Sequence, residues 1–555
     1  MRGVSTPGDR GDGRPASHAR ASGRKARHVD RYHSSVESEE DEPASLAEIA
    51  ARRTERHGGA EFILTIDESN PDRVRARTYL EVERRAAAVL QALLDAGVSP
   101  GDRIGCYLPN APCWVVTSLA VWWAGASIAA VGTLLPGAEA RRIFDIAEVS
   151  LVITTADVGQ LEGFDVISVD EEGLLVGSEA EPSETKIIPA PTDLAAIFFT
   201  SGTTGRPKGI THSHGDLVTA AKRIASGYAR NTGYRPDPAP SHLAPGIVVN
   251  PFGHTAGYVR VAFRMWIGRA IVLIPKFSVP AMAGYLRHYK PDSLQLTPTM
   301  VHMLATTDYN IDLSSVQYVT ASTAPLSTPT RERFEARFGV PVMQAYGMTE
   351  VGTVSQERLD DVLAGRRGPG SVGRPASGVE IRIRATGTDG LADGEGEILV
   401  RAKDMPTEFV GGVAAPVNEE GWFSTGDIGR MDDGILYITG RAQEKIIVGG
   451  LNVYPAEVED AMKRSPLIAD AVVVGLPDAR LGERPVAGVV WSGEPDEAAL
   501  TQELRQALAA YKVPRQFFAM ESVPLTVRDK VDRKEALKAA QAALDAAVPP
   551  LGQPT

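Results

Sequence analysis

The stretch LAAIFFTSGTTGRPKG, from Leu194 to Gly209, carries a strand-like apolar run directly into a turn dense in glycine and hydroxyl groups. The P-loop pattern requires G-x-x-x-x-G-K followed by Ser or Thr, whereas here Gly202 and Gly205 are three residues apart and Gly209 follows Lys208. Glycines let the backbone approach a ligand closely, and hydroxyl and ammonium groups donate to anionic oxygens. We therefore predict a phosphate-binding turn rather than a flexible surface turn. Its predicted donors are Thr200, Ser201, Thr203, Thr204 and Lys208.

On either side of this stretch, short apolar runs alternate with longer helical patterns, which is typical of an α/β fold. Strand-like runs begin near Ala270, Ser315 and Val340, and helical patterns follow the first two. Ligands of open α/β sheets gather beyond the carboxyl ends of strands, so the polar clusters after these runs are expected to converge. Beyond Gly440, a strand-like run and two helical stretches predict a small α+β domain.

The composition limits the function classes. A chain of 555 residues is expected to hold more than one domain, and its net charge of -12 argues against nucleic acid as the main partner. Cys106 and Cys113 offer neither a disulfide framework nor a metal set, which favours a cytoplasmic location. The Arg-, Gly-, Ser- and Pro-rich start lacks the apolar run of a signal peptide, so we predict a disordered tail rather than a transit peptide.

The uncharged stretch from Ala111 to Ala138 is long enough to suggest a membrane span. Glycines and Pro136 interrupt it, however, and only Arg141 and Arg142 flank it closely. We predict a buried helix that runs into a buried strand, and no membrane span.

The decapeptide TSGTTGRPKG resembles the phosphate-loop signature of the ANL superfamily of adenylate-forming enzymes, which includes acyl-CoA synthetases, peptide-synthetase adenylation domains and beetle luciferases. Further motifs of that superfamily follow in the expected order over roughly residues 45 to 545. The resemblance implies an α/β fold with a large N-terminal domain of stacked α/β subdomains and a small, mobile C-terminal α+β domain. The implied boundaries are a tail at 1–44, the large domain at 45–440, the small domain at 441–547 and a frayed tail at 548–555.

Two motifs resemble the superfamily's acyl-pocket segments. In PFGHTAG, His254 would lie near the substrate carboxylate, the alternative being a packed core histidine. Gly253 stands where amino-acid-activating domains usually place an Asp, and a buried ammonium without that carboxylate would lack its partner, so a free amino acid is not expected. STAPLS replaces the usual G-G-A-P-L, with Ser322 and Thr323 in place of glycines. Small residues in these motifs favour a bulky apolar acyl group. The residues expected to line the acyl pocket are His254, Gly257, Ala321, Ser322 and Gly347.

Two further motifs resemble nucleotide-binding segments. In QAYGMTE, Tyr346 would stack on adenine, Thr349 would contact the α-phosphate and Glu350 would ligate Mg2+, the alternative for Glu350 being a solvated residue at a helix start. In GWFSTGDIG, Asp427 would accept both ribose hydroxyls. The full set of residues expected to contact ATP is Thr200, Ser201, Gly202, Thr203, Thr204, Gly205, Lys208, Ala324, Tyr346, Gly347, Asp427 and Arg441.

The C-terminal motifs concern the second half of the implied reaction. GRAQEKIIVGGLNVYPAEVE places Arg441 against the nucleotide and Gln443 at the hinge. Its Gly449 and Gly450 belong to the loop that approaches the pantetheine channel. PLTVRDKVDRKEAL places Lys530 at the catalytic lysine, which bridges the attacking carboxylate and the α-phosphate. The catalytic residues implied together are Lys530, His254, Thr349 and Glu350.

The resemblance implies an ATP- and Mg2+-dependent ligase that forms an acyl-adenylate, releases pyrophosphate and transfers the acyl group to CoA. Gln443 stands where Asp or Lys is usual, and Asp529 replaces the glycine before the catalytic lysine. Both departures from the usual motifs favour an alternative hypothesis, in which the enzyme stops at acyl-AMP and passes it to a thiolating partner or carrier protein. A third hypothesis is a nucleotide-binding paralogue without turnover.

Overall fold

The structure is a computed structural model, and its contacts divide the chain into two units, Met1–Glu42 and Pro43–Thr555. It describes residues 42–547 except 68–69, 156–160, 178–179, 202–206, 235–243, 386–389, 391, 393, 407, 411–412, 479 and 527–529. For Ser201 and residues 544–547 only the backbone is described. Four predicted phosphate-turn residues, Asp529 and most of both predicted tails therefore lie outside the described residues; the four are Gly202, Thr203, Thr204 and Gly205.

Helices occur along the whole of the second unit. They are α1 (Leu46–His57), α2 (Tyr79–Asp95), α3 (Cys113–Trp123), α4 (Gly137–Ala147), α5 (His214–Thr232), α6 (Thr255–Trp266), α7 (Val279–Tyr289), α8 (Pro298–Thr306), α9 (Thr328–Phe338), α10 (Leu359–Leu363), α11 (Pro455–Met462), α12 (Glu497–Ala507) and α13 (Arg533–Ala547).

A sheet of eight strands carries the stretch that opened the sequence. Its order is β19-β18-β8-β7-β4-β3-β5-β6. Five adjacent strands are parallel to one another, namely β7, β4, β3, β5 and β6, whereas β8 is antiparallel to β7. The strands are β3 (Arg103–Leu108), β4 (Ser127–Gly132), β5 (Leu151–Thr154), β6 (Asp165–Ser168), β7 (Leu194–Ser201), β8 (Pro207–Ser213), β18 (Glu408–Phe409) and β19 (Val413–Ala414).

A second sheet of nine strands contributes the other predicted nucleotide motifs. Its order is β11-β12-β13-β14-β15-β21-β20-β17-β16, parallel from β11 to β13 and antiparallel beyond. The strands are β11 (Ser293–Leu296), β12 (Tyr318–Ala321), β13 (Val342–Met348), β14 (Gly352–Gln356), β15 (Ser371–Pro375), β16 (Val379–Arg384), β17 (Gly396–Ala402), β20 (Phe423–Asp432) and β21 (Ile435–Arg441).

Two smaller sheets complete the second unit. One has the order β2-β1-β10-β9, with β1 (Glu61–Ile66), β2 (Val74–Thr78), β9 (Gly246–Val248) and β10 (Ile271–Leu273). The other lies in the C-terminal part and runs β23-β22-β25-β24, with β26 beside β25. Its strands are β22 (Ile446–Val448), β23 (Leu451–Val453), β24 (Ile468–Asp478), β25 (Gly482–Trp491) and β26 (Phe517–Ala519).

The uncharged stretch from Ala111 to Ala138 forms α3 and β4, which confirms the predicted buried helix followed by a strand. Every residue of α3 is buried, as expected for a helix that is apolar on all sides. No helix in the described part of the chain combines the length and apolarity that crossing a membrane requires.

The chain passes from the nine-stranded sheet to the C-terminal sheet within residues 442–445, between β21 and β22. The predicted hinge residue Gln443 lies in this short connection and is exposed. Arg533 anchors the connection to the C-terminal part, because its guanidinium pairs with Glu444 at 2.8 Å and with the buried carboxylate of Glu459 at 2.5 Å.

Candidate nucleotide and acyl site

The predicted phosphate turn joins two antiparallel strands. Thr200 near the end of β7 pairs with Lys208 on β8, so both side chains flank the turn from opposite strands. α5 begins only at His214, after the whole of β8. The segment after β7 therefore continues into a strand and not into a helix, so it lacks the helix N-terminus with which a P-loop binds phosphate.

A second hairpin carries Glu350. β13 and β14 pair antiparallel with Met348 opposite Gly352, so Thr349, Glu350 and Val351 form the turn between them. This position excludes the alternative that Glu350 is a solvated residue at a helix start. Glu350 is half-buried, and desolvation raises the pKa of its carboxyl above the ordinary value of 4.5.

Buried side chains from other elements hold this turn on both sides of Glu350. His212 on β8 donates through Nε2 to the Thr349 carbonyl at 2.8 Å. Arg223 on α5 donates to the Val351 carbonyl at 2.6 Å, and its charge is balanced by the buried carboxylate of Asp404 at 2.7 Å. The carbonyl groups of the residues before and after Glu350 are therefore positioned by side chains from the neighbouring sheet and its helix.

The protonation of His212 follows from its surroundings. A carbonyl oxygen can only accept a hydrogen bond, so Nε2 of His212 carries the proton. Burial lowers the pKa of His212 below its ordinary value, which keeps the imidazole neutral at neutral pH. Sequence reasoning missed both His212 and Arg223, because nothing in a one-dimensional pattern marks a side chain whose partner is a distant backbone carbonyl.

Asp427 lies at the centre of the predicted nucleotide site. It is 5 % exposed on β20, opposite Arg441 on β21. The Tyr346 hydroxyl donates to its Oδ2 at 2.5 Å, and Arg441 Nε pairs with its Oδ1 at 2.8 Å. Burial, and next the neighbouring Asp427 carboxylate, raise the pKa of Tyr346 well above its ordinary value, so the phenol stays protonated.

Residues from motifs far apart in sequence thus converge. The charges of Arg441, Asp427 and Lys208 all act on the Glu350 carboxyl, with Arg441 and Lys208 lowering its pKa against the larger effect of burial. Gly347 is exposed beside Tyr346, and an added Cβ there would lie 2.6 Å from the Gly352 carbonyl oxygen. The motifs that follow β7 and β13 therefore lie close together, as expected, although both strands continue into hairpins rather than into helices.

The acyl-pocket motifs meet at the start of α6 and the end of β12. His254 is half-buried at the position that precedes α6, and Ala321 ends β12. An added Cβ at Gly257 would lie 2.5 Å from the Pro251 carbonyl oxygen, and one at Gly253 would lie 2.6 Å from the amide nitrogen of Gly132. An Asp at position 253, where amino-acid-activating domains carry one, would therefore displace the backbone at the end of β4.

The replacement of glycines in STAPLS has a conformational consequence. Thr323 has φ +80°, in the left-handed region that β-branched residues rarely adopt. Ser322 uses its hydroxyl to accept a hydrogen bond from Arg260 Nη2 at 2.8 Å. Ala324 follows as a half-buried residue. The segment keeps a glycine-type backbone conformation although its side chains differ.

The C-terminal predicted residues lie in turns. Gly449 (φ +59°) and Gly450 (φ +85°) form the two-residue connection of the β22–β23 hairpin, where two positive φ values are required. Lys530 lies in a turn in which Thr526 N–H donates to the Lys530 carbonyl at 2.7 Å. The Lys530 side chain is exposed.

Fold and site together define a nucleotide-binding α/β enzyme of the adenylate-forming class. The family model described as AMP-binding enzyme matches residues 50–406, and the model described as AMP-binding enzyme C-terminal domain matches residues 457–530. The chain belongs to the AMP-binding enzyme family, within the ANL superfamily of adenylate-forming enzymes.

Named relatives span nearly the whole chain. A 3-[(3aS,4S,7aS)-7a-methyl-1,5-dioxo-octahydro-1H-inden-4-yl]propanoyl:CoA ligase of Mycobacterium tuberculosis is 30% identical, over 83% of this chain and 93% of its own length. A sulfoacetate–CoA ligase of Cupriavidus necator is 29% identical over 89% and 97%. The solved o-succinylbenzoate CoA synthetase of Bacillus subtilis, in complex with its acyl-adenylate intermediate, has a TM-score of 0.77 at 25% identity, over 88% and 97%.

Proposed function

We propose that this chain is an AMP-forming acyl-CoA synthetase. It converts a non-amino organic acid, ATP and CoA into acyl-CoA, AMP and pyrophosphate through an acyl-adenylate. The observation that carries this function is the convergence of Lys208, Glu350, Tyr346, Asp427 and Arg441 on one site. The relatives described above are named as CoA ligases, which does not favour the alternative of an enzyme that stops at acyl-AMP.

The first half-reaction depends on positioning and charge neutralisation, because a carboxylate is a weak nucleophile and the α-phosphate is shielded by negative charge. The turn after β7 and Lys208 hold the leaving pyrophosphate. Tyr346 stacks on adenine, and Asp427 accepts the ribose hydroxyls. A carboxylate offers about four lone-pair sites, so Asp427 can accept them beside its present partners. Thr349 contacts the α-phosphate, and Lys530 bridges it and the attacking carboxylate near His254.

The donor set fits a magnesium ion bound mainly through nucleotide phosphates. Glu350 supplies one hard oxygen, and the charges of Arg441 and Lys208 act on its desolvated carboxyl. In the described residues no group of three or more His, Cys, Asp or Glu side chains forms an all-protein metal cage. Mg2+ would supply further neutralisation of phosphate charge when bound.

The second half-reaction requires the small domain to reorient about Gln443. This movement withdraws Lys530 and presents the Gly449–Gly450 turn to the pantetheine arm of CoA. The exposed connection at 442–445 supports this assignment. We also propose a cytoplasmic location, which the two buried free thiols of Cys106 and Cys113 support.

The function is tested by mass spectrometry of reactions that contain ATP, Mg2+ and a panel of carboxylic acids, with and without CoA. We expect acyl-CoA only when CoA is present. Lys530→Ala should lower acyl-AMP formation on the order of 100-fold or more, since it removes a cation from the reacting phosphate. Lys534→Ala, an exposed lysine at the start of α13, is the matched control and should leave product formation near the wild-type level.

Two results would contradict this function. Acyl-AMP that accumulates regardless of CoA would favour the adenylate-only enzyme. ATP binding without any product would favour the paralogue that lacks turnover.

A further inference from the structure

Helix α6 carries a buried arginine with no anionic partner. Arg260 is 7 % exposed. Its guanidinium donates to the side-chain oxygen of Gln295 and to the hydroxyl of Ser322, and its Nε has no hydrogen-bond acceptor among the described residues. Both acceptors are neutral oxygens, so they offer dipoles to the guanidinium but leave its charge uncompensated.

The surroundings of Arg260 are electropositive. Burial and the neighbouring charge of Arg264 lower the pKa of Arg260 to about 10, so it remains charged at neutral pH. Arg264 is also buried. Asp292 is an acid whose charge acts on Arg264, but it already accepts a hydrogen bond from Tyr228 at 2.5 Å and pairs with Arg269 at 3.5 Å. A buried charge is costly unless it is paired, and the described part of the chain supplies no carboxylate to Arg260.

The position of Arg260 joins it to the acyl pocket. Ser322, its hydrogen-bond partner, lies directly after the end of β12 among the residues assigned to that pocket. Gly257, Arg260 and Arg264 follow one face of α6 at helical spacing. A different face, which includes Tyr258, packs against the apolar side chains of α3.

The distance along α6 between His254 and Arg260 indicates how long a substrate that reaches both residues would be. The backbone rises about 9 Å along α6 between positions 254 and 260, and helical side chains lean toward the N-terminus. The guanidinium therefore leans back toward His254, where the reacting carboxylate is assigned. The distance between the reacting carboxylate and the guanidinium is therefore shorter than the rise of the backbone. It corresponds to a spacer of about three to five methylene groups between the two anionic groups of the acid.

We propose that Arg260 binds a second anionic group, a carboxylate or sulfonate, at the distal end of the acid that this enzyme activates. This inference rests on the proposed function and refines it. The small residues of the pocket surround an apolar middle of the substrate, and Arg260 fixes its charged end. The proposal adds an anionic end to the bulky apolar acyl group that the sequence favours.

The test compares acids of equal length that differ only at the distal end. Glutarate, adipate and pimelate, which have three, four and five methylene groups between their carboxylates, are paired with pentanoate, hexanoate and heptanoate, and kcat/KM is measured for each. We expect at least one diacid to exceed its paired monoacid on the order of 10- to 100-fold, through KM more than kcat, because a charge-assisted contact is lost in the monoacid.

Three variants separate recognition from packing. Arg260→Met should remove the preference for the diacid, and Arg260→Lys should keep part of it. Gln295→Glu keeps the arginine and nearly the same shape but neutralises its charge inside the protein, so it too should remove the preference while the melting temperature is maintained. A merely structural role for Arg260 predicts an unchanged ratio in Gln295→Glu, and that result would overturn the proposal.

Equilibrium binding distinguishes this inference from the proposed function. Calorimetry with the same acid pairs and α,β-methylene-ATP needs no turnover. Arg260-dependent preference for a diacid in binding, without any product, would sustain the anionic subsite and reject the synthetase. Turnover of every acid without preference for any diacid would sustain the synthetase and reject the subsite. Neither binding nor turnover of any pair would reject both.

Discussion

At the scale of single residues, the turn that carries Glu350 is held by side chains from other elements of the fold. Neutral His212 holds the carbonyl before Glu350, and Arg223 holds the carbonyl after it. Glu350 is therefore desolvated in a fixed place, which raises the pKa of its carboxyl. Desolvation favours the protonated carboxyl, so the proposed Mg2+ ligand is also easier to protonate than an exposed glutamate.

Magnesium dependence should consequently change with pH. As pH falls from about 8 to about 5, protons compete with Mg2+ for Glu350 earlier than for an ordinary carboxylate. The Mg2+ concentration for half-maximal pyrophosphate release should rise, by up to about tenfold per pH unit below the raised pKa. Glu350→Gln should need more Mg2+ throughout and lose this pH dependence. Retention of the wild-type Mg2+ dependence in that variant would remove Glu350 from the metal site.

Thr323 has a left-handed backbone conformation that glycine adopts more readily than threonine. Its φ of +80° strains a β-branched side chain by about 1–3 kcal/mol, whereas glycine adopts this backbone freely at an entropic cost of about 0.5–1 kcal/mol. Thr323 is exposed, so little packing is lost. Thr323→Gly should raise the free energy of unfolding by about 1 kcal/mol in urea titrations, and Thr323→Ala should raise it less. A lower free energy of unfolding in Thr323→Gly would contradict the strain.

At the scale of elements, hairpins carry Glu350 and the glycine pair assigned to the thiol step. The β22–β23 hairpin is the one assigned to CoA, and Gly450 there has φ +85° with open space around its Cα. Gly450→Ala should strain the turn by about 1–2 kcal/mol and slow acyl-CoA formation more than acyl-AMP formation in single-turnover assays.

Gly493→Ala is the control for that substitution, since Gly493 lies in open space before α12 without a positive φ. In Gly493→Ala, the ratio of the rates of acyl-AMP formation and acyl-CoA formation should equal the ratio in the wild type. Equal slowing of both half-reactions in Gly450→Ala would mean that the turn has no particular part in the thiol step.

At the scale of the whole molecule, buried histidines link stability to pH. His214 begins α5, is 1 % exposed and packs against Trp122, and burial lowers its pKa from 6.5 to about 4. The unfolded chain therefore takes up a proton at a pH where the folded chain does not. This stability is fully present above pH 6.5 and is lost as pH falls toward about 4.

The loss attributable to His214 is about 3 kcal/mol. Chemical unfolding of the wild type across this pH range should show it, and His214→Phe should reduce the slope while it keeps the ring contact with Trp122. His212 acts in the same direction, because burial lowers its pKa as well. An equal slope in His214→Phe and in the wild type would show that the folded protein can accommodate the charged imidazole.

Much of the molecule follows from local patterns in the sequence. The all-apolar run near Trp114 predicted a buried helix and β4 because a segment without a polar face can be stable only inside. The glycine and hydroxyl patterns around Lys208, Tyr346 and Asp427 identified the adenylate-forming family because each motif lies within a single turn or strand. Motifs made of neighbouring residues can be recognised without knowledge of the tertiary structure.

The contacts that finish the site depend on the tertiary structure alone. His212 meets Thr349 across 137 residues, Arg223 meets Val351 across 128, and Arg260 meets Ser322 across 62. No periodicity connects such pairs, because they arise where two sheets and their helices pack together. The sequence by itself determined the family, the fold class and the motifs from which the nucleotide-binding residues are predicted. Only the packing of the sheets decided which buried charges are balanced, since pairing of charges depends on distance in space and not along the chain.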